Sequence, residues 1–255
     1  MALVDGWQTQ GGAVAVVGGT DRTVLAVGGD VLRSSRWASV TKLATALAVL
    51  VAVEEEVLDL DEPAGPPGAT VRHLLAHASG LAFDEERTLA PPGRRRIYSN
   101  TGFEVLGTFL AKRVAMPFER YLYEAVTEPL GLEGTRLEGS PAAGLVGPLD
   151  DLSRLAAELL APTLVAPTTL RLATTVTFPG LAGVLPGFGF HGAQDWGLGF
   201  EVRDGKWPHW TGSRCSPATF GHFGASGSFL WVDPGIGLAC AALSGRPFGA
   251  WARHA

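Results

Sequence analysis

The sequence predicts an α/β fold in which an antiparallel sheet, built from both chain ends, is flanked by helices and carries an inserted, mainly helical lobe. Short β-branched runs lie near the N-terminus, and a long Leu, Ala and Val run of helical character occupies the middle. A period of two residues, typical of strands, returns from Gly197 onward. With 255 residues, 46% of them hydrophobic, the chain can bury one substantial core. We therefore expect a single domain over residues 1–255, with a sheet lobe at about 1–40 plus 176–255 and a helical lobe at about 41–175.

The predicted elements follow in order along the chain. Residues 13–17 and 23–27 form a hairpin around Gly18 to Asp21. Residues 42–57 form a helix that is apolar nearly all round and is therefore central. Thr70 is the expected N-cap of a short helix that continues through Ala76. Further helices are predicted at residues 101–113, 117–126, 150–160 and 167–174, and further strands at 199–203, 229–232 and 236–243.

Composition narrows the classes of partner and compartment. A formal charge of −5 and a pI near 5.7 provide no basic surface, so we expect no nucleic-acid partner. The longest apolar stretch, residues 43–53, is too short to cross a membrane. The first seven residues lack the basic flank and apolar core of a secretory signal, which favours a cytoplasmic protein. In that compartment Cys215 and Cys240 are expected to be free thiols.

The first chemical motif is Ser39-Val40-Thr41-Lys42. With 12 serines and three lysines among 255 residues, chance gives about 0.14 matches to Ser-x-x-Lys. Positions i and i+3 share a helix face, so the Lys42 amine can reach the Ser39 hydroxyl. Apolar neighbours would lower the pKa of the amine and make it a better base. The alternative is that Ser39 only caps the helix and Lys42 is an ordinary first-turn lysine.

A second motif, Tyr98-Ser99-Asn100, stands on a loop just before a predicted helix. Chance gives about 0.01 matches to Tyr-x-Asn, because the chain has three tyrosines and one asparagine. Near a cationic lysine the Tyr98 phenolate is favoured, and it could then take the serine proton. Asn100 can donate to a substrate carbonyl and accept from the lysine. Ser99 or Asn100 could instead serve only as a helix cap.

The third segment, Gly221 to Gly227, precedes a predicted strand and contains His222-Phe223-Gly224. A match to (Lys or His)-x-Gly carries no weight by count, since about 1.2 are expected by chance. Its position gives it weight, because a Ser/Lys/Tyr site needs a late strand as its far wall. Glycines there let the backbone approach a substrate, and a main-chain N–H can complete an oxyanion hole.

Together these motifs resemble the serine β-lactamase and penicillin-binding-protein superfamily, in the branch of class C β-lactamases, D-amino-acid peptidases and related serine esterases. The resemblance implies a β-lactamase/transpeptidase-like fold and an acyl-enzyme mechanism without metal or other cofactor. It implies Ser39 as nucleophile, Lys42 and Tyr98 as the proton-transfer pair, and Asn100 as a substrate contact. The oxyanion hole would be formed by the N–H groups of Ser39 and Ala225. The matching segments, which span about nine-tenths of the chain, are residues 37–42, 58–63, 71–81, 98–102, 128–132, 196–200 and 221–224.

Departures from the family pattern bear on the substrate. The middle residue of the third motif is usually a small hydroxyl residue that helps bind a substrate carboxylate, and here it is Phe223. His222 replaces the commoner lysine, which reduces positive charge at pH 7. Both changes favour a small neutral ester or amide. The alternatives are a β-lactamase or D-alanyl-D-alanine carboxypeptidase, and a non-catalytic binding module on the same fold.

The chain also lacks room for the long terminal helices of relatives, and a homodimer is one way to cover the sheet face they leave. His73 and His77 have the spacing of a metal pair, but we interpret them as structural. Arg94, Arg95 and Arg96 are interpreted as a solvated charge run. The aromatic residues considered for an acyl pocket, each of which could equally be core, are Trp37, Phe83, Phe103, Trp196 and Trp210.

Overall fold

A six-stranded sheet with strands from both halves of the chain organises the protein. In the computed structural model, which describes residues 11–19 and 21–249, the sheet order is β2-β1-β11-β10-β9-β8, and every neighbouring pair is antiparallel. The predicted fold class is confirmed. The six strands are β1 (Ala13–Gly18), β2 (Thr23–Gly28), β8 (Glu201–Val202), β9 (Phe220–Gly224), β10 (Ser228–Asp233) and β11 (Leu238–Leu243).

Between β2 and β8 the regular secondary structure is mainly helical. Two small sheets interrupt the helices: a three-stranded one in the order β3-β5-β4 and the hairpin β6–β7. The helices are α1 (Thr41–Glu54), α2 (Val71–Leu75), α3 (Asn100–Val114), α4 (Phe118–Leu122), which continues as a π-turn (Tyr123–Thr127), α5 (Leu149–Leu160) and α6 (Pro167–Ala173). The short strands are β3 (Ser35–Arg36), β4 (Arg136–Leu137), β5 (Leu145–Gly147), β6 (Gly183–Leu185) and β7 (Gly189–His191).

Helix α1 is central, as its composition predicts. Eleven of its 14 residues are buried, including Lys42, so the helix has no solvated face. It ends at Glu54, earlier than the predicted residue 57. Glu56 adopts a left-handed φ of 58°, and the Val57 N–H turns back to the Ala52 carbonyl at 2.9 Å. Because the helix ends here, the three successive glutamates at positions 54–56 are exposed to solvent and their charges stay hydrated.

Helix α5 covers one face of the sheet. Its apolar side chains recur every three or four residues, and Leu149, Leu152, Leu155 and Leu159 are all at most 2% exposed. The helix contacts β1, β10 and β11. It joins the two ends of the chain into one hydrophobic core.

Some boundaries differ from the sequence prediction for local reasons. The predicted strand 199–203 is reduced to Glu201–Val202, because Gly199 has a φ of 89° and donates to the Leu75 carbonyl at 3.0 Å. Thr70 stands at the N-cap position of α2, but its hydroxyl bonds the His73 ring instead of the helix backbone. The predictions for the first ten residues, for Thr20 in the hairpin and for residues beyond 249 lie outside the described residues. Within the described part, no helix is long and apolar enough to cross a membrane.

Candidate active site

Ser39 lies in a single 3-10 turn (Ala38–Val40) that leads directly into α1. The preceding residue, Ala38, has a left-handed φ of 47°, a conformation that costs a non-glycine residue about 1–3 kcal/mol. The turn is fixed from the sheet side, since the Ser228 hydroxyl donates to the Trp37 carbonyl at 2.6 Å. The hydroxyl of Ser39 therefore stands at the N-terminus of a buried helix, on a turn that both α1 and β10 hold in place.

Lys42 is completely buried one turn further along α1. Its Nζ donates to the Asn100 Oδ1 at 2.6 Å and to the Ala142 carbonyl at 2.9 Å, and it lies 3.5 Å from the Ser39 Oγ. Burial lowers the pKa of the amine from 10.5 to about 7, although Asp84 and Glu104 oppose the change. A neutral amine has two N–H groups and one lone pair. The two short bonds take both N–H groups, which leaves the lone pair for the serine hydroxyl.

Tyr98 meets this pair from the loop before α3. Its ring lies 4.9 Å from the Lys42 Nζ, and its phenol faces the Ser39 side chain. The prediction that Tyr98 is ionised as a phenolate is wrong, however. Burial raises the pKa of Tyr98 well above its ordinary 10.0, and the adjacent Ser39 side chain only partly offsets this. The phenol is thus neutral, and the amine is the group whose pKa lies near neutrality.

Asn100 joins Lys42 to a residue that the sequence analysis missed. Its Oδ1 accepts from Lys42, and its Nδ2 donates to the Asp84 Oδ1 at 2.8 Å. Since the carboxylate can only accept, Asp84 fixes which end of the amide faces the lysine. No motif marks Asp84, because its partner is 16 residues away and the chain between them is irregular. The neighbouring Ser99 is the N-cap of α3, with its hydroxyl accepting from the Gly102 N–H at 3.0 Å.

Strand β9 forms the far wall, as its position in the sequence predicts. The His222 Nδ1 donates to the carbonyl of Phe223 at 2.7 Å, so Nε2 is the bare nitrogen of the neutral ring. Burial lowers the pKa of His222 to about 3, which leaves no positive charge at this position near pH 7. Ala225 follows the strand and borders the same pocket as Ser39.

Gly224 allows β9 to come this close to the nucleophile turn. A Cβ at this position would lie 2.6 Å from the Trp37 carbonyl oxygen and 3.0 Å from the Ala38 Cβ. We therefore expect Gly224→Ala to push the strand away, destabilise the protein by about 1–3 kcal/mol and lower kcat/KM by about 10²-fold. Urea denaturation and ester hydrolysis measure both effects. Gly205→Ala is the control, because an added Cβ there meets nothing within 4 Å; equal effects in the two variants would contradict this explanation.

The pocket in front of Ser39 has a volume of about 240 Å³. Around it, the part of the chain that the structure describes contributes no Asp, Glu, Lys or Arg side chain. Of the aromatic candidates, Phe83 and Trp196 line the pocket, Trp210 packs behind Phe223 at 5.4 Å, and Trp37 and Phe103 are core. The lining residues are Ser39, Phe83, Tyr98, Pro186, Gly187, Trp196, His222, Phe223, Ala225 and Phe248.

A buried ionic cluster around Glu201 supports the side of the pocket formed by Phe223. Glu201 accepts from the Trp210 Nε1 and bonds the His209 Nε2, each at 2.8 Å, and it pairs with Lys206 at 2.8 Å. Burial alone would raise the pKa of Glu201, but His209 and Lys206 together lower it to about 2. The carboxylate therefore stays charged and keeps the β8–β9 loop against Phe223.

The structure also accounts for the other basic residues that the sequence singles out, His73 and the arginines at positions 94–96. His73 bonds Thr70 and stacks on Phe178 at 4.4 Å, and the described residues contain no group of three His, Cys, Asp or Glu suited to a metal ion. Arg94 and Arg95 are exposed, as expected of a charge run. Arg96 corrects that interpretation, because it is 3% exposed. It donates to the carbonyls of Ala76, Thr177, Phe178 and Gln194.

A hydroxyl, an amine and a phenol grouped at one pocket of this fold define the class of protein as a serine hydrolase. Comparison with known proteins agrees. A sequence profile of the β-lactamase family matches residues 2–254. The crystal structure of a β-lactamase from Mycobacterium bovis has a TM-score of 0.96 at 52% identity and covers 99% of this chain and 93% of its own. The chain belongs to the β-lactamase family.

More distant structures share the fold. The octameric penicillin-binding protein homologue from Pyrococcus abyssi gives a TM-score of 0.77 at 20% identity, covering 99% of this chain and 74% of its own. EstCE1, a hydrolase with promiscuous acyltransferase activity, gives 0.79 at 19%, with 99% and 95% covered. Among proteins of curated function, none matches.

Proposed function

We propose that this protein hydrolyses small neutral esters or amides through an acyl-enzyme on Ser39. The observation that carries the proposal is the buried amine of Lys42, which has both N–H groups engaged and lies 3.5 Å from the Ser39 hydroxyl. That arrangement supports a general base beside a nucleophile.

The reaction follows from these groups in two halves. The Ser39 Oγ attacks the substrate carbonyl while its proton passes to the Lys42 Nζ, directly or through the Tyr98 hydroxyl. The N–H groups of Ser39 and Ala225 stabilise the oxyanion. The proton then goes to the leaving alcohol or amine as the carbon–oxygen or carbon–nitrogen bond breaks. Water repeats the sequence on the acyl-enzyme, releasing the acid and restoring the serine.

The pocket supports a substrate without charge. Its lining is mainly aromatic, the His222 ring is neutral, and the Phe223 ring cannot donate a hydrogen bond. A volume of about 240 Å³ suits a short acyl group. A carboxylate placed there would lose its hydration without gaining a cation from the described lining residues in exchange.

A β-lactamase is the second candidate function. It is favoured by the 52% identity to the Mycobacterium bovis protein, whose name is that of a β-lactamase. A β-lactamase would use the same acylation chemistry as the proposed esterase or amidase, but on an anionic substrate.

One pair of assays separates the two functions. Hydrolysis of p-nitrophenyl butyrate and of a chromogenic cephalosporin is compared on the same preparation. We expect the larger kcat/KM for the ester. A larger value for the cephalosporin would instead identify the protein as a β-lactamase. Absence of both activities, together with absence of labelling by a fluorophosphonate, would leave a non-catalytic binding module.

Phe223→Thr is expected to shift the preference towards the cephalosporin. The new hydroxyl can donate to the β-lactam carboxylate, and a hydrogen bond to a charged group contributes about 1.5–3 kcal/mol, or roughly 10–100-fold in relative kcat/KM. Phe223→Ala is the control, because it creates the same space without the hydroxyl. If both variants gained equally, steric relief and not hydrogen bonding would be the cause.

A further inference from the structure

His77 lies directly against the ring of Tyr98. The two ring centroids are 4.6 Å apart, and the same imidazole meets Phe103 at 5.2 Å and Trp196 at 4.8 Å. His77 is 1% exposed. It therefore forms part of the aromatic layer that lies behind the pocket.

His77 also binds the backbone on both sides of Tyr98. The N–H of Ile97 donates to the His77 carbonyl at 2.9 Å, and the N–H of Ser99 donates to the His77 Nδ1 at 3.1 Å. Because a backbone N–H can only donate, Nδ1 is the bare nitrogen and Nε2 carries the hydrogen. One residue thus holds the loop immediately before and after the phenol.

Packing alone does not account for a histidine here. Its backbone adopts a left-handed φ of 52°, which is unfavourable for residues other than glycine. Its Nε2–H has no hydrogen-bond partner among the described residues, and burying such a group is costly. An apolar side chain would avoid the second cost. What it could not supply is an acceptor for Ser99.

We propose that His77 is a positioning residue for Tyr98, holding the loop on either side and one face of the ring so that the phenol meets Ser39. This inference rests on the proposed function and on its route through the Tyr98 hydroxyl. Burial, aided by Lys42, His222 and Arg96, keeps the pKa of His77 well below its usual value. Nδ1 therefore remains an acceptor throughout the working pH range.

A double-mutant cycle tests the proposal, with ester hydrolysis as the readout. We expect Tyr98→Phe to lower kcat by roughly 10²–10⁴-fold. His77→Phe keeps an aromatic ring but removes the acceptor, and we expect kcat to fall by about 10–100-fold with KM unchanged. If His77 acts through Tyr98, the double variant is no slower than Tyr98→Phe. Losses that multiply in the double variant would overturn the proposal.

Conservative replacement gives a second, independent readout. Asparagine tolerates a left-handed backbone and offers an acceptor oxygen near the position of Nδ1, so His77→Asn should keep kcat within about fivefold of wild type. His73→Leu, which alters the neighbouring histidine outside the site, should also leave kcat unchanged. If His77→Phe fails to fold, His77→Asn decides alone, since a loss as large as that of Tyr98→Phe would refute positioning. Wild-type kcat in Tyr98→Phe would instead refute the proposed role of the phenol.

Discussion

Ser39→Ala is expected to lower ester turnover by roughly 10⁴-fold or more, because no covalent intermediate can form without the hydroxyl. The wild-type protein should release a burst of p-nitrophenol equal to one acyl group per chain, and the variant should release none. Intact-mass spectrometry after quenching should find the acyl adduct on wild type alone. Since Ser39 is partly exposed on a turn, the loss of one oxygen should leave the fold unchanged.

Ser34→Ala is the matched control for this experiment. Ser34 is an exposed serine five residues earlier in the chain, outside the pocket. Its variant should acylate at the wild-type rate. If the adduct formed equally fast on Ser39→Ala, another residue would be the nucleophile and the proposed mechanism would be wrong.

Lys42→Met is expected to lower kcat/KM by roughly 10²–10⁴-fold, because it removes the general base while keeping a side chain of similar length. In wild type the amine acts when it is neutral, and its pKa is lowered to about 7. Activity should therefore fall about tenfold for each pH unit below 7 and level off above it. Lys112→Met, an exposed lysine on α3, should leave both the rate and the pH profile unchanged. If the activity of Lys42→Met still fell below pH 7 as in wild type, a group other than Lys42 would be responsible for the pH dependence.

The same pKa difference predicts how stability depends on pH. The amine titrates at 10.5 when solvated and at about 7 in the folded protein, so between these values the unfolded chain binds one more proton. The free energy of unfolding of wild type, measured relative to Lys42→Met, should rise with pH in this window by about 1.4 kcal/mol per unit. Urea denaturation at pH 7, 8 and 9 measures the difference. Parallel pH dependences for the two proteins would show that Lys42 is charged in the fold.

Periodicity and motif order predicted the sheet from both chain ends, the central helix and the grouping of Ser39, Lys42 and Tyr98. These features depend on local patterns: apolar spacing defines the elements, and rare residue pairs mark the site. Helix α1 illustrates this, because its unbroken apolar composition requires burial on every side. The wall formed by β9 was predicted from its place in the chain.

The ionisation of Tyr98 and the roles of Asp84, His77 and Arg96 could not be predicted from the sequence. Each depends on distances between residues that the chain brings together only in three dimensions. Burial raises the pKa of the Tyr98 phenol more than its contact with Ser39 lowers it, and only the fold sets that balance. In the sequence Arg96 is one of three consecutive arginines, and only its position beside β6 distinguishes it by removing it from solvent.

Strand β11, the last of the described strands, occupies the middle of the large sheet, between β1 and β10. On the ribosome, the N-terminal hairpin emerges more than 200 residues before the strand that must pair with it. Until then the β1 edge stays open, and such edges can join other chains. Nascent protein stalled before residue 238 should therefore depend on chaperones, whereas the released chain can close its sheet.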